Sequence, residues 1–382
     1  MKLGDTSAAV RLTLLMGKGV PLPAPPFVME AFESAEVARS DVEPSGFSMT
    51  FKLGRDASIV GKIPLLATSV TKAGARVVLT GTVGNKPEVL IDGIVEDVDV
   101  QPPGASGVGT LTLKGRDLTV MMDREERQAT YPGLGPTEIV LQILTRYALY
   151  GIVPDVRSPV ASTRDNPVER TPSQAGTDLE MIKSLAETNG FIFTLIPGPV
   201  PMTTRAYWGP PPRIGGLQPA ITVDMGPETN VANLNFELEE GEAANVEGEA
   251  LDTRTGQSVP VRSFASTRPP LALMPSLSNA MLRQSRLLRP RAGQGPAEAM
   301  ATAQAQAEST TDTLKATGDL DIGKYGRVLK TSKLVGLRGA GLEHDGLYYV
   351  RDVIHKISRG SWIESFTITR EGLGSTVPAV LP

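Results

Sequence analysis

The chain has 382 residues and a net charge of −4, with 40% hydrophobic and 21% charged residues. That length predicts two to four domains, and that composition is one of folded rather than disordered chains. The weak negative charge, with no long basic run, argues against sequence-independent nucleic-acid binding. Cysteine is absent, which excludes disulfides, thiolate chemistry and Cys-ligated zinc and fits synthesis in a reducing cytoplasm. Near the amino end, Leu12–Met16 is too short for a signal core, and no run approaches the roughly 20 apolar residues of a membrane span.

Residues 1–125 read as all-β. Phe47, Met49, Phe51 and Leu53 alternate with Ser48, Thr50 and Lys52, the pattern of a half-buried strand. Val77–Thr80 and Val89–Ile91 flank the turn-rich Gly84-Asn-Lys-Pro87. Ile94, Val98 and Val100 share a face opposite Asp97 and Asp99, and Leu111 and Leu113 continue the pattern. Short strands with turn signals suit a barrel or sandwich, including a β-domain unrelated to any family named below. In the closing segment, Gly115 permits a bulge or sharp bend and Asp117 caps a short helix over Leu118–Asp123. Arg116 and Asp117 are adjacent and do not converge on one reacting atom, so a cap with a solvated partner explains them better than catalysis.

Residues 126–226 predict a small α+β domain. A helix runs from Pro136 to Gly151, with Ile139, Leu141, Ile143, Leu144 and Tyr147 as its apolar positions, and a loop follows over residues 152–176. Thr177 and Glu180 form a capping box for a second helix. Its stripe is Leu179, Ile182, Leu185 and Ala186; Gly190 stops it, and Phe191, Ile192, Phe193 and Leu195 make a strand. Pro197, Pro199, Pro201 and Pro210–Pro212 mark loops.

Residues 227–382 return to strands. Leu234, Phe236 and Leu238 alternate with Asn235, Glu237 and Glu239, and residues 244–261 read strand, turn, strand, with Asp252 and Gly256 in the turn. An excursion rich in Pro, Ser and Arg covers 262–295, and an alanine-rich helix follows from Pro296 to about Thr311, suited to close packing against another backbone or to a surface. In the last hairpin, Asp345–Gly346 turns the chain, Tyr349, Val353, His355 and Ile357 share one face, and Trp362, Glu364, Phe366, Ile368 and Arg370 share a face of the next strand.

Three of these segments resemble one family in that family's order. Thr112-Leu-Lys-Gly-Arg-Asp-Leu-Thr-Val-Met-Met-Asp-Arg124 is similar to the (V/I)xGRDLxxLLDR stretch of phage late control D proteins, the baseplate hubs of contractile tails. Residues 177–195 resemble their TDLEFLxxLAxxxG(F/I)xF segment. Residues 345–370 resemble their terminal hairpin, and 244–256 more loosely the hairpin opening their second barrel. The resemblance implies a mainly β chain: a first tube-like β-barrel (1–125), an α+β domain (126–226), and a second, similar barrel (227–382) carrying the excursion and helix at about 262–315. It implies a homotrimer whose six barrels form a pseudo-sixfold ring, adapting a hexameric tail tube to a trimeric spike amid other baseplate proteins. Secretion-type relatives of the family continue into a fused spike, whereas this sequence stops at Pro382, so the expected spike is a separate polypeptide. The expected location is the tail baseplate of a virion or an injection-system particle, with genomic DNA passing the lumen without specific binding.

No catalytic, cofactor-binding or metal-ligating residue is expected. His344 and His355 are the only histidines, no HExxH or GxSxG motif occurs, and Gly104–Gly109 matches no phosphate-binding loop and reads as a hairpin tip. Glu237, Glu239, Glu240, Glu242, Glu247 and Glu249 lack EF-hand order and read as a solvated face, with the narrower option that they line a lumen and repel DNA. Arg283, Arg286, Arg289 and Arg291 suit surface charge or a subunit contact. The readings from other classes are a tail-associated cell-wall hydrolase and a receptor- or carbohydrate-binding β-protein. The first needs a carboxylate pair or zinc site, and the second exposed aromatic platforms, although aromatics are only 5% of the chain.

Overall fold

The computed structural model describes residues 10–54, 69–102, 108–159, 171–252, 255–264, 266–278, 283–290 and 294–376. The chain is mainly β with small helical insertions. Its first part holds β1 (Val10–Gly17), β2 (Leu22–Pro23), helix α1 (Pro26–Ala31), β3 (Phe32–Ser40), β4 (Gly46–Gly54), β5 (Arg76–Val83), β6 (Lys86–Gln101) and β7 (Val108–Asp117). The middle part holds β8 (Glu126–Thr130), α2 (Pro136–Thr145), β9 (Ile152–Val156), β10 (Ser173–Thr177), α3 (Asp178–Thr188), β11 (Ile192–Pro197) and β12 (Thr204–Gly209). Then come β13 (Gln218–Thr222), β14 (Val231–Leu238), β15 (Ala244–Asp252), β16 (Gln257–Arg262), β17 (Ala272–Pro275), β18 (Gln284–Leu287) and α4 (Pro296–Ser309). The last elements are β19 (Leu314–Asp321), α5 (Ile322–Tyr325), β20 (Lys333–Arg338), β21 (Gly346–Ser358), β22 (Ser361–Arg370) and β23 (Gly372–Ser375).

A 13-stranded sheet joins the first and last parts, and one strand order occurs in it twice. The first part runs β3-β4-β7-β6-β5-β1 and the last part β14-β19-β22-β21-β20-β13, so equivalent strands also follow each other in chain order. The outermost pair alone differs, antiparallel for β1/β5 and parallel for β13/β20. A bulge marks the same place in both units: Glu96 in β6, within Val95-Glu-Asp-Val98, and Arg351 in β21, within Val350-Arg-Asp-Val353. Opposite each bulge's start, Gly74 N donates to the Val95 carbonyl at 2.7 Å and Ser332 N to the Val350 carbonyl at 2.9 Å. Both donors have positive φ, +83° and +57°, so Ser332 holds a conformation that glycine holds in the first unit.

The two units share one core in which Phe51, Met49, Val77, Leu113, Val350, Val353 and Ile368 are buried. The bulge at Arg351 corrects the expected face of the last hairpin. By shifting register it sends Tyr348 and Val350 into this core with Val353 and Ile357, and turns Tyr349 outward onto Leu271 and Leu334.

Between the repeats, β9, β12 and β11 form a small sheet against α2 and α3, with Ile139, Val140, Ile143, Ile182, Leu195 and Trp208 buried. Here the expected loop over 152–176 holds two strands. Ile152–Val156 lies parallel to β12, and Ser173–Thr177 pairs with β8. Leu141, expected in the apolar stripe of α2, is exposed, and Val140 takes the buried place. A further insertion, between β14 and β19, pairs β15 with β16 and β18 and packs Val246, Ala250 and Val261 on the alanine face of α4. Its strands β17 and β18 lie in the segment expected as an excursion rich in Pro, Ser and Arg.

Candidate assembly surface

The segments that carry the family resemblance are joints. In the first, Gly115 allows close approach, since a Cβ there would lie 2.0 Å from the Ile94 carbonyl oxygen; the bulge itself sits on the opposing strand β6. Arg116 donates to both oxygens of Glu96, at 2.9 and 3.0 Å, and to Asp123 at 3.2 Å. Asp117 points the other way, accepting from Thr119 N at 3.0 Å to cap Leu118–Met121, and from Ser45 N at 3.3 Å. Its burial raises the carboxyl pKa. Leu118 enters the core of the α+β part.

The second joint is the capped helix α3. Thr177 accepts from Glu180 N at 3.2 Å, and Glu180 accepts from Thr177 N at 2.9 Å, the reciprocal box that the sequence predicts. The Thr177 hydroxyl also donates to Asp123, so the first two motifs share one carboxylate. Asp178 is fully buried and gathers Arg146 at 2.9 Å, Tyr147 Oη at 2.8 Å and Gln174 Nε2 at 2.8 Å. Burial pushes its pKa up, but hydrogen bonds from Gln174, Tyr147 and Arg146 outweigh this and hold it below the usual range. At the helix end Gly190 has φ +66°, and a Cβ there would come within about 3 Å of Ala305 in α4. The alanine-rich helix therefore does lie against another backbone.

In the third joint, Arg370 is fully buried with no carboxylate within bonding distance among the described residues. It donates to the carbonyls of Gly372, Asp345 and Glu343 and lies 4.4 Å over the Tyr348 ring. Burial lowers its pKa. Asp345 accepts from Ala340 N at 2.8 Å and closes the turn.

Both histidines pack against other side chains. His355 is 1% exposed and its Nδ1 lies 2.7 Å from Glu364 Oε1, while Glu364 Oε2 accepts from Leu329 N at 3.0 Å. Burial raises the Glu364 pKa, opposed by His355. His344 stacks on Phe236 at 4.2 Å, and its pKa is lowered by burial and by Arg370. Among the described residues no group of three or more His, Asp or Glu is placed to hold a metal, and no helix is long and apolar enough to cross a membrane. Residues 103–107 of the Gly-rich tip, and Arg291, lie outside the described residues. Arg283, Arg286 and Arg289 are exposed, as are Glu237, Glu239, Glu242 and Glu249.

Sequence reasoning missed the polar contacts between parts, because their residues are far apart in the chain. Arg39 Nη1 donates to the Leu90 carbonyl at 3.1 Å and Nη2 to the Leu195 carbonyl at 2.9 Å, tying the α+β part to the first unit. Arg213 pairs with Asp312 and with Glu371, the latter at 2.8 Å. Asp41 accepts from the Tyr349 hydroxyl at 2.7 Å across the boundary between the two units, and burial pushes its pKa up to about 7. A cleft of about 850 Å³ is lined by Arg39, Arg157, Arg205, Lys330 and Lys333 against Glu88 and Asp155, with Ser332 and His355 also on its wall. It is cation-rich. Apolar side chains are nevertheless left on the surface: Leu149 is 98% exposed, Ile214 80%, Leu287 75% and Leu342 73%.

No family model matches the chain, and no curated protein sequence matches it. Solved structures do. A tail protein from Neisseria meningitidis MC58 superposes with a TM-score of 0.62 at 11% identity, covering 96% of this chain and 98% of that one. The 43 kDa tail protein of prophage MuSo2 from Shewanella oneidensis gives 0.64 at 12% identity, covering 95% and 99%. An E. coli component of the type VI secretion system, described as structurally similar to the T4 bacteriophage tail proteins gp27 and gp5, gives 0.55 at 11% identity, covering 92% and 77%. The chain thus has, over nearly its whole length, the fold of phage tail proteins and of a related secretion component.

Proposed function

We propose that this protein is the baseplate hub of a contractile phage tail or phage-derived injection system, and that it works by matching symmetries rather than by catalysis. The observation that carries this reading is the repeated strand order, β3-β4-β7-β6-β5-β1 and β14-β19-β22-β21-β20-β13, within one chain. Read as two similar barrels, one chain supplies two equivalent docking units and three chains supply six. A homotrimer then offers a pseudo-sixfold face to a hexameric tail tube, while its threefold axis suits a trimeric spike. The α+β part from β8 to β12 sits outside the repeat and offers surface, including its side of the cation-rich cleft, to other baseplate proteins. Resemblance at residues 112–124, 177–195 and 345–370, together with the fold shared with tail proteins, supports the same reading.

Light scattering on the purified chain tests it, together with an assay for release of soluble fragments from cell walls. The reading predicts a species three times the chain mass, formed alone or on adding tube and spike proteins, and no lysis. A chain that stays monomeric with those partners and degrades cell walls is the hydrolase instead.

A further inference from the structure

The two units of one chain meet along a single seam. The second half of β21 lies antiparallel to β3, from Asp352 opposite Ser40 to Ser358 opposite Ser34. The residues that face the core there are sealed: Ala35, Val37, Val353, His355 and Ile357 are each 3% exposed or less.

The repeat supplies a second copy of both edges. β6 is the counterpart of β21, and β14 the counterpart of β3. Among the described residues neither counterpart is covered. β6 leaves β5 at Ile94, opposite Arg76, so that Asp97–Gln101 is paired on the β7 side only. β14 is paired with β19 and carries no strand on its other edge. Where the intrachain seam is buried, Val100 is 43% exposed and Leu238 39%. Long bare edges invite another strand.

We infer that Asp97–Gln101 of one copy pairs antiparallel with Asn235–Glu239 of a second copy, repeating the β21–β3 seam between chains. The inference rests on the trimeric hub reading and adds the strands and register of its subunit contact. The partner is a second copy because the chain already makes this contact once with itself. Head-to-tail contact between different patches is also the kind that closes a ring.

The ladders transfer the register. Val37 faces Phe47, which faces Gly115, which faces Val95. Phe236 faces Ala316, which faces Ile368, which faces Val350. Val37 and Phe236 are therefore equivalent, as are Val95 and Val350, and the matching bulges make Asp97 equivalent to Asp352. The observed pairs Val353–Arg39, Ile354–Ala38 and His355–Val37 then become Val98–Leu238, Asp99–Glu237 and Val100–Phe236 between chains. Apolar residues meet on the core side, the favourable arrangement for cross-strand pairs. On the other face Asp99 meets Glu237, flanked by Lys114, 2.7 Å from Asp99, and Lys315, 3.8 Å from Glu237. The flanking cations offset the repulsion of facing carboxylates.

The absence of native cysteine permits a direct test. The full-length Asp99→Cys/Glu237→Cys variant is oxidised and run on non-reducing gels, beside each single variant and an Asp99→Cys/Glu249→Cys control. We expect a covalent trimer in the first variant alone, reversed by reductant. In the wild-type assembly, amide exchange at residues 97–101 and 235–238 should slow by about tenfold or more relative to dissociated chains. A trimer by mass that neither cross-links nor protects these amides overturns the seam and leaves the hub reading standing. Cross-linked open chains that never close at three support the seam and remove the ring. Chains that stay monomeric and uncross-linked even with tube and spike proteins present overturn both.

Discussion

Asp41 shows how one residue couples stability to pH. Its carboxyl has an ordinary value of 3.8 and is pushed to about 7 by burial between the two units, where the Tyr349 hydroxyl donates to it. Between about pH 4 and 7 the folded chain therefore binds a proton that the unfolded chain has released. The stabilisation from this group is complete below the unfolded value and is lost as pH rises through about 7, by up to about 4 kcal/mol. Asp41→Asn should therefore gain on the wild type as pH rises from 4 to 8, read as a growing difference between their melting temperatures. Parallel melting curves across that range would show that Asp41 does not titrate this way. Asp178 is the opposite case, a carboxylate held ionised by Gln174, Tyr147 and Arg146. Removing it strands the buried Tyr147 and Gln174 donors and takes the partner of Arg146, so Asp178→Ala should cost about 3–5 kcal/mol in urea unfolding. A cost below about 1 kcal/mol would mean that solvent replaces the network.

Among elements, the helix α3 was legible before the fold was known because its signals are local. Thr177 and Glu180 are three residues apart, and Leu179, Ile182 and Ala186 recur at helical spacing; all take the expected places. Ile182 is fully buried whereas Leu185 is only partly so. Ile182→Ala should thus cost about 2–5 kcal/mol and Leu185→Ala clearly less, by chemical denaturation; equal costs would place the helix in a different rotation. The strand Ile152–Val156 was not legible, because Pro154 within it speaks against a strand and its partner β12 lies some fifty residues on. The face of Tyr349 was misread for a related reason. Alternation predicts faces only until a bulge intervenes, and the bulge at Arg351 depends on pairing with β22. The joints were visible as motifs, but their purpose was not. That Asp123 serves both Arg116 and Thr177 follows only once residues 116 and 177 are neighbours.

For the whole molecule, the repeat matters more than any single motif, and it was nearly invisible in the sequence. Val95-Glu-Asp-Val98 and Val350-Arg-Asp-Val353 are the trace of it at the bulges, while most equivalent positions hold different residues. His355 and Glu364 stand where the first unit has Val100 and Leu111, a buried polar pair in place of two aliphatic side chains. Sheet pairing constrains which side chains face inward more than which inward side chains they are. If chains meet along the proposed seam, Asp99 faces Glu237, and Asp99→Asn with Glu237→Gln should tighten the assembly by roughly 0.2–1 kcal/mol per seam. Sedimentation at several salt concentrations would register this as tighter association with a weaker salt dependence, and looser association would argue that the carboxylates bind cations or a partner instead. On the hub reading, three chains present six equivalent units around one axis. Electron cryo-microscopy of the purified assembly tests it most directly. A threefold particle with six similar sheets in a ring at one end is the expected result. Particles without threefold symmetry, or with the two units of each chain at different distances from the axis, would contradict it.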